Sequence, residues 1–399
     1  MRIVSLSDIA EIVTGSTPSR ADADNFGSDV PFITPSELDK GIYVTEGTEY
    51  LSNQGASLSR VIPEKSVMVC CIGSLGKVGI AASKLVTNQQ INSLIVNEGL
   101  ADPLYVYFFC RTLKPQLESM APKTTVAIVN KSRFSSLKIP LPPLETQKQI
   151  AAILEKADQL RKDCQQMEQE LNNLAQSVFM DMFGDPVSNP KGWERRKLSE
   201  FYFDEKTGTK CGPFGSALKK EDFSVSGVPV WNMDNITLSG KFIDQPTLWV
   251  PHDKYDELES YSVLPGDVII SRAGTVGKMG VVLSKYPESL ISTNLIRVRF
   301  GERLLPQFFV SLMLYCKTRL KRLKVGADGA FSHMNTGILD ELEFPYPPID
   351  VQTKYANFVE KIDSELIRLK NLSTEMDQQF NSLSRKAFSG ELTIKDRAA

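Results

Sequence analysis

The sequence predicts an α+β chain: two duplicated mixed α/β globules separated by two long, antiparallel coiled-coil helices, in a pseudo-two-fold internal repeat. Three observations predict this. The chain repeats itself once, half a length later. Each copy opens with short β-rich runs punctuated by glycine and proline, and closes with a long segment free of both, in which apolar residues recur at steps of three and four.

The repeat is read directly. Val30-Pro31-Phe32-Ile33 returns as Val228-Pro229-Val230-Trp231, and Gly73-Ser74-Leu75-Gly76-Lys77-Val78-Gly79 as Gly274-Thr275-Val276-Gly277-Lys278-Met279-Gly280. Asn130 with Ile139-Pro140-Leu141-Pro142-Pro143-Leu144 and Gln147 returns as Asn335 with Phe344-Pro345-Tyr346-Pro347-Pro348-Ile349 and Gln352. A period this long marks a duplicated domain; solenoid repeats run about 20–50 residues.

Taken in order, residues 1–143 form the first globule, with strands at Val67–Ile72 and a helix opening at Pro103. Proline suits a first helical position, where its missing N–H would be unpaired anyway. Residues 144–184 form the first spacer helix, with a seam at Ile150, Ile153, Ala157, Leu160, Cys164, Met167, Leu171, Leu174 and Val178. Residues 185–348 form the second globule, with strands at Val268–Ser271 and Leu290–Val298 and a helix at Pro306. Residues 349–399 hold the second spacer helix and a tail, its seam passing through Tyr355, Phe358, Ile362, Leu366, Leu369, Leu372, Met376 and Leu383. A helical stretch of ~35 residues spans roughly 50 Å.

Composition narrows the function. At 42% apolar and 24% charged, the chain has the balance of a soluble globular protein. Its opening residues do not read as a secretory signal, and no apolar run is long enough to span a membrane, so a cytoplasmic location is expected. Six cysteines without a C-x-x-C pair read as buried reduced thiols, and two histidines, His252 and His333, cannot build a histidine-rich metal cage. A net charge of −2 is low for a nucleic-acid binder. Two basic runs in corresponding places, Arg111 to Lys138 and Arg297 to Lys324, offset it.

Catalytic motifs are missing from the sequence. The G-x-x-G-K stretches end in Lys77-Val78 and Lys278-Met279, without the Ser or Thr and the glycine spacing of a phosphate loop, so each reads as a β-hairpin. No G-x-G-x-x-G opens a helix. The Pro-Pro pairs follow Leu141 and Tyr346, not the Asn or Asp of an amino-methyltransferase motif. What remains are polar, glycine-containing loops: Thr14-Gly15-Ser16-Thr17-Pro18-Ser19-Arg20, answered by Thr207-Gly208-Thr209-Lys210-Cys211-Gly212-Pro213-Phe214-Gly215-Ser216, and the loops after the basic helices. Such loops offer hydroxyls, backbone N–H groups and cations to phosphates and base edges, or serve as ordinary surface turns.

The globule-and-helix plan, Thr14-Gly15-Ser16-Thr17-Pro18, Gly212-Pro213-Phe214-Gly215-Ser216, the G-x-x-G-K hairpins, Pro140-Leu141-Pro142-Pro143-Leu144-Glu145-Thr146-Gln147 and Phe179-Met180-Asp181-Met182-Phe183-Gly184-Asp185 resemble the specificity subunits of type I restriction–modification systems. The resemblance implies two target-recognition domains that read a bipartite, asymmetric double-stranded DNA target. It implies a non-catalytic chain whose helices dock two modification (methyltransferase) subunits and, through them, restriction subunits. S-adenosylmethionine, ATP and magnesium are then expected on those partners and no cofactor in this chain. The DNA-binding candidates are Ser16, Thr17, Ser19, Arg20, Lys77, Lys123 and Thr124 in the first half. In the second they are Lys210, Ser216, Lys219, Arg272, Lys278, Ser332 and His333. The docking candidates are Gln147, Ile150, Leu154, Gln352, Tyr355 and Val359. The rival reading is a coiled-coil scaffold with two binding globules that does not read DNA.

Overall fold

Runs of β-branched and apolar residues form the strands, and the glycine and proline punctuation falls at their ends. The computed structural model describes residues 2–121, 126–214, 217–272, 277–320 and 334–392. The chain divides into two compact units, Met1–Gln166 with Lys370–Ala399, and Met167–Leu369. Each unit thus contains a globule, half of one spacer helix and the opposite half of the other, which is an antiparallel arrangement of the two helices.

In the first unit a five-stranded sheet runs Ala10–Thr14, Ile91–Val96, Val67–Cys70, Val78–Ala81, Tyr43–Val44. A four-stranded sheet runs Glu49–Leu51, Phe26–Ile33, Leu85–Thr87, Val61–Ile62. Strand Arg2–Ser5 pairs antiparallel with Lys138–Leu141, clasping the globule's first residues to its last. The second unit repeats the plan. Its larger sheet runs Thr209–Cys211, Leu295–Val298, Val268–Ser271, Met279–Val281, its smaller one Trp249–Val250, Val228–Trp231, Leu290–Ile291, and Glu194–Lys197 is clasped to Glu343–Tyr346. The V-P-x-x repeat is a strand paired in parallel at the same place in both: Ile33 with Thr87, and Trp231 with Ile291.

The repeated Asn130 and Asn335 are helix N-caps, each Oδ1 accepting a backbone N–H three residues on at 2.9 Å. The Pro-x-Pro-Pro repeat carries each chain from the clasp strand into a spacer helix. These helices run Leu144–Phe183 with 40 residues and Ile349–Ser389 with 41, or about 60 Å each at 1.5 Å per residue.

On the first spacer helix four of the nine predicted seam residues face elsewhere. Ile150 and Cys164 are buried and Ala157, Leu171 and Val178 half-buried, but Ile153, Leu160, Met167 and Leu174 remain 37%, 41%, 50% and 44% exposed. The buried face is completed instead by Ala151, Leu154, Asp158, Ala175 and Phe179. The reason is that each half-helix packs on a globule as well as on its helical partner, so it buries a broad face to one side of the narrow coiled-coil stripe. In the first unit Ile150 and Leu154 join Tyr105, Phe108, Phe380 and Ala387 in one core. In the second, Phe179 and Phe183 meet Tyr355 with ring centroids 5.3 and 5.2 Å apart.

Candidate nucleic-acid interface

In the first unit three loops converge at one end of the large sheet. The first leaves strand Ala10–Thr14 at Gly15, whose N–H donates to Ile91 O at 3.0 Å while Ser16 N donates to Thr87 O at 2.9 Å. A Cβ on Gly15 would lie 2.2 Å from Asn88 O, so only glycine allows this crossing. The second is the G-x-x-G-K hairpin, whose Gly73 and Gly76 both have φ +78°, as a tight turn between strands requires. The third is the 87–90 loop, tied to the hairpin by Cys71 N donating to Gln90 O at 2.8 Å.

The side chains presented there are mostly amides and hydroxyls. Thr17 Oγ1 donates to Gln89 Oε1 at 2.8 Å, and Asn88 Nδ2 donates to Gln90 Oε1 at 2.9 Å. Arg60 buttresses the first loop, with Nη1 donating to Thr14 O at 2.8 Å and its backbone N to Ser16 Oγ at 3.3 Å. Sequence reasoning missed Arg60, Asn88, Gln89 and Gln90; the consecutive Asn-Gln-Gln between the apolar runs Leu85-Val86 and Ile91 was the available signal. Ser19 is exposed, its carbonyl accepting from Asn25 Nδ2 at 3.1 Å. Arg20 is exposed but already engaged, its guanidinium forked on Glu49 at 3.0 and 2.6 Å and lying 5.2 Å from the Phe26 ring.

The second unit builds the same cluster with other side chains. Gly212 N donates to Leu295 O at 2.8 Å, and a Cβ there would lie 2.0 Å from Ser292 O. Arg272 N donates to Asn294 O at 3.0 Å. Gly15 therefore corresponds to Gly212, Cys71 to Arg272 and Gln90 to Asn294. Within the 207–216 stretch that answers 14–20, Gly212 and not Gly208 stands in the place of Gly15. The Arg272 guanidinium lies 4.6 Å from the centroid of Phe214, a ring 58% exposed.

Several candidates serve the fold. Lys77 Nζ donates to Pro35 O at 3.1 Å, and Lys278 Nζ to Met233 O at 2.7 Å, the same strap in both units. The strapped turns are closed alike: Glu37 accepts from Thr34 N at 2.8 Å, and Asn235 Oδ1 from Asn232 N at 3.0 Å. Burial pushes the Glu37 carboxyl up, but hydrogen bonds from Thr48, Ser36 and Thr34 outweigh it and hold the pKa at about 2. Lys210 Nζ sits 4.8 Å from the Tyr261 ring centroid and Lys219 Nζ 3.6 Å from Glu221, both within their own unit. Lys123, Thr124, Ser216, Ser332 and His333 lie outside the described residues.

Two expectations need correction. The basic runs are partly engaged within the fold, while Lys114 and Lys131 stay exposed. Arg111 pairs with Asp158 at 2.9 Å and Arg133 donates to Met120 O at 3.1 Å. Arg297 is buried and donates to Ser262 O and Thr207 O at 2.7 Å each, Arg299 forks on Asp267 at 2.8 Å, and Arg303 donates to Glu200 O. The docking candidates Gln147, Ile150, Leu154, Gln352 and Tyr355 are buried in the cores of their own units, and Val359 packs partly into one, so a partner cannot reach the first five. Gln147 instead ties its helix to the globule: Nε2 donates to Leu100 O and Pro142 O, and Oε1 accepts from Asp102 N at 3.0 Å. Gln352 does the same with Arg303 O, Pro347 O and Leu305 N.

Among the described residues no group of three or more His, Cys, Asp or Glu side chains is placed to hold a metal ion, and no helix is long and apolar enough to cross a membrane. Cys70, Cys71, Cys110 and Cys164 are buried free thiols, and burial pushes the Cys71 thiol up to about 12.

Each half thus carries a globule that presents polar loops from one sheet end and is followed by a long helix. The chain belongs to the type I restriction modification DNA specificity domain family, which matches residues 1–173 and 190–375. It is 25% identical over 394 residues to the type I restriction enzyme MjaVIII specificity subunit of Methanocaldococcus jannaschii, covering 92% of this chain and 90% of that one. It is 35% identical over 159 residues to the HindI specificity subunit of Haemophilus influenzae, covering 38% of this chain and 35% of that one. Among solved structures it is similar to the type I restriction–modification S subunit from M. genitalium, with a TM-score of 0.58 at 15% identity over 99% of this chain and 96% of that one. A chain from work on complex assembly and conformational transition of the type I R-M system matches with a TM-score of 0.61 at 17% identity over 98% of both.

Proposed function

We propose that each globule reads one part of a bipartite, asymmetric double-stranded DNA sequence through its loop cluster. The observation that carries this reading is that one backbone frame is built twice while the side chains it presents differ: amides and hydroxyls in the first unit, Arg272 on Phe214 in the second. A common frame docks both globules alike; different side chains make the two half-sites different. The chain performs no chemistry of its own. Modification subunits bring S-adenosylmethionine, and restriction subunits joining through them bring ATP and magnesium.

The modification subunits dock on the exposed helix surface, not on the buried candidates. Ile153, Leu160, Met167 and Leu174 repeat every seven residues along the first spacer helix, the spacing at which one stripe meets a partner helix. Leu160→Asp with Met167→Asp is expected to abolish co-purification with the modification subunit while leaving the chain's own melting temperature within a few degrees. Unimpaired assembly places the docking surface elsewhere.

The reading as a whole is tested by methylome sequencing of cells that produce the chain with its modification subunit. Two unlike half-sites separated by a fixed gap are expected; a continuous or palindromic motif overturns it. Adding one heptad to each spacer helix extends it by about 10 Å, so the gap is expected to widen by roughly three base pairs with unchanged half-site bases.

A further inference from the structure

Among the second globule's arginines whose side chains are described, all but Arg272 make a guanidinium hydrogen bond, although Arg297 Nε is also shielded without a partner. Arg195 donates to Pro186 O and Val187 O, Arg196 to Glu194 and Glu200, Arg297 to two carbonyls, Arg299 to Asp267 and Arg303 to Glu200 O. Arg272 donates no guanidinium hydrogen bond to any described residue. Its one side-chain contact of note is the Phe214 ring, and its Nη1 is shielded from solvent without a partner. A shielded guanidinium N–H left unmade costs stability unless something outside the chain accepts from it.

The location makes that acceptor DNA. Arg272 follows strand Val268–Ser271, beside Asn294 and the Gly212-Pro213-Phe214 loop, in the cluster proposed to face the target. An aromatic face beside a guanidinium restrains its plane, and Nε and Nη2, which are not shielded as Nη1 is, keep their N–H groups without partners among the described residues. An oriented fork suits a phosphate or a base edge, and the salt dependence of binding separates the two. Guanine offers two acceptors, O6 and N7, at the spacing of that fork in the major groove.

We propose that Arg272, oriented by Phe214, reads a guanine in the half-site of the second globule. The inference rests on the proposed DNA reading and deepens it by naming a base and a residue. It also locates a source of asymmetry, because the first globule holds a buried thiol, Cys71, in the equivalent place and can make no such contact.

The test is methylome sequencing, with binding measured on duplexes varied at each position, for native chain, Arg272→Ala, Arg272→Cys and Phe214→Ala in complex with the modification subunit. Both Arg272 variants are expected to lose roughly ten- to a hundredfold of discrimination at one G·C position of one half-site, with the other half-site unchanged. Phe214→Ala, which removes an exposed ring, is expected to weaken discrimination at that same position by a smaller factor. Arg272→Cys copies the residue the first globule carries there, so the fold tolerates it; should either Arg272 variant nevertheless unfold, Phe214→Ala decides alone. An unchanged motif in all variants overturns the proposal. So does uniform weakening on every sequence with a smaller salt dependence, which marks a phosphate contact. A native complex that yields no two-part motif fails the DNA reading itself, and is thereby distinguished from failure of the guanine assignment.

Discussion

The two globules share their backbone ties and differ in nearly everything hung on them. Gly15 and Gly212 cross the same sheet end, Cys71 and Arg272 donate the same backbone hydrogen bond, and Lys77 and Lys278 strap the same turn. Backbone ties constrain only a few residues, mainly the glycines and the strap lysines, so the exposed positions between them are free to diverge. That freedom is what a protein needs in order to read two different half-sites with one architecture.

The divergence extends to the supports. Asp158 and Asp363 occupy equivalent places on the two spacer helices. The Asp158 side chain is 2% exposed and takes Arg111, Arg161 and Lys162 at 2.9, 3.0 and 2.9 Å. Burial pushes its carboxyl up, but Lys162 and Arg111 outweigh that and hold it below the usual carboxylate range. Arg161 also bonds Asp377 at 2.5 Å and covers Phe380, fixing the second helix to the first unit. Asp363 is more exposed and takes Lys241. Asp158→Ala is therefore expected to cost about 3–4 kcal/mol in chemical denaturation and Asp363→Ala about 1 kcal/mol or less. Equal losses would show that the first unit's cation cluster adds nothing.

The glutamines should instead behave alike. Gln147→Ala strands one backbone N–H and two carbonyls, and Gln352→Ala one N–H and one carbonyl because Arg303 O keeps Tyr346 Oη; each is expected to cost about 2–3 kcal/mol. A large difference between them would mean that the two junctions are not equivalent.

Glu37 and Asn235 close the same turn, yet only Glu37 titrates. Its folded-state pKa, at about 2, lies below the ordinary 4.5, so its contribution is full above that ordinary value and is lost as pH falls toward 2. Glu37→Gln is expected to lower stability by about 2 kcal/mol at pH 7 and by progressively less at lower pH, measured as denaturation midpoints from pH 7 to pH 3. A pH-independent difference would contradict the assigned hydrogen bonding. The smallest effects are expected from Lys77→Ala and Lys278→Ala, about 1 kcal/mol each, because each removes one hydrogen bond to a carbonyl.

Much of the architecture was legible in the sequence because its signals are local. The duplication, the glycine turns of the hairpins and the spacer helices free of glycine and proline follow from residue order and the conformations those residues allow. What was not legible depends on partners far away in the chain. The 153, 160, 167 and 174 positions match a coiled-coil seam in spacing, but the globule packs on the neighbouring face and draws the helix around. The arginines at 297, 299 and 303 read as a basic run, whereas carbonyls and a carboxylate up to 103 residues away take them. Asn88, Gln89 and Gln90 carry no motif, and they gain meaning only when the 14–17 loop is folded against them.

The central claim is that one frame carries two independent readers, and swapping a single exposed side chain in each tests it most directly. Methylation motifs should be determined for chains carrying Gln89→Ala or Asn294→Ala in complex with the modification subunit. The account predicts that Gln89→Ala relaxes bases in one half-site only and Asn294→Ala in the other half-site only, with the gap unchanged in both. Altered bases in both half-sites from either single change, or none from both, would contradict it.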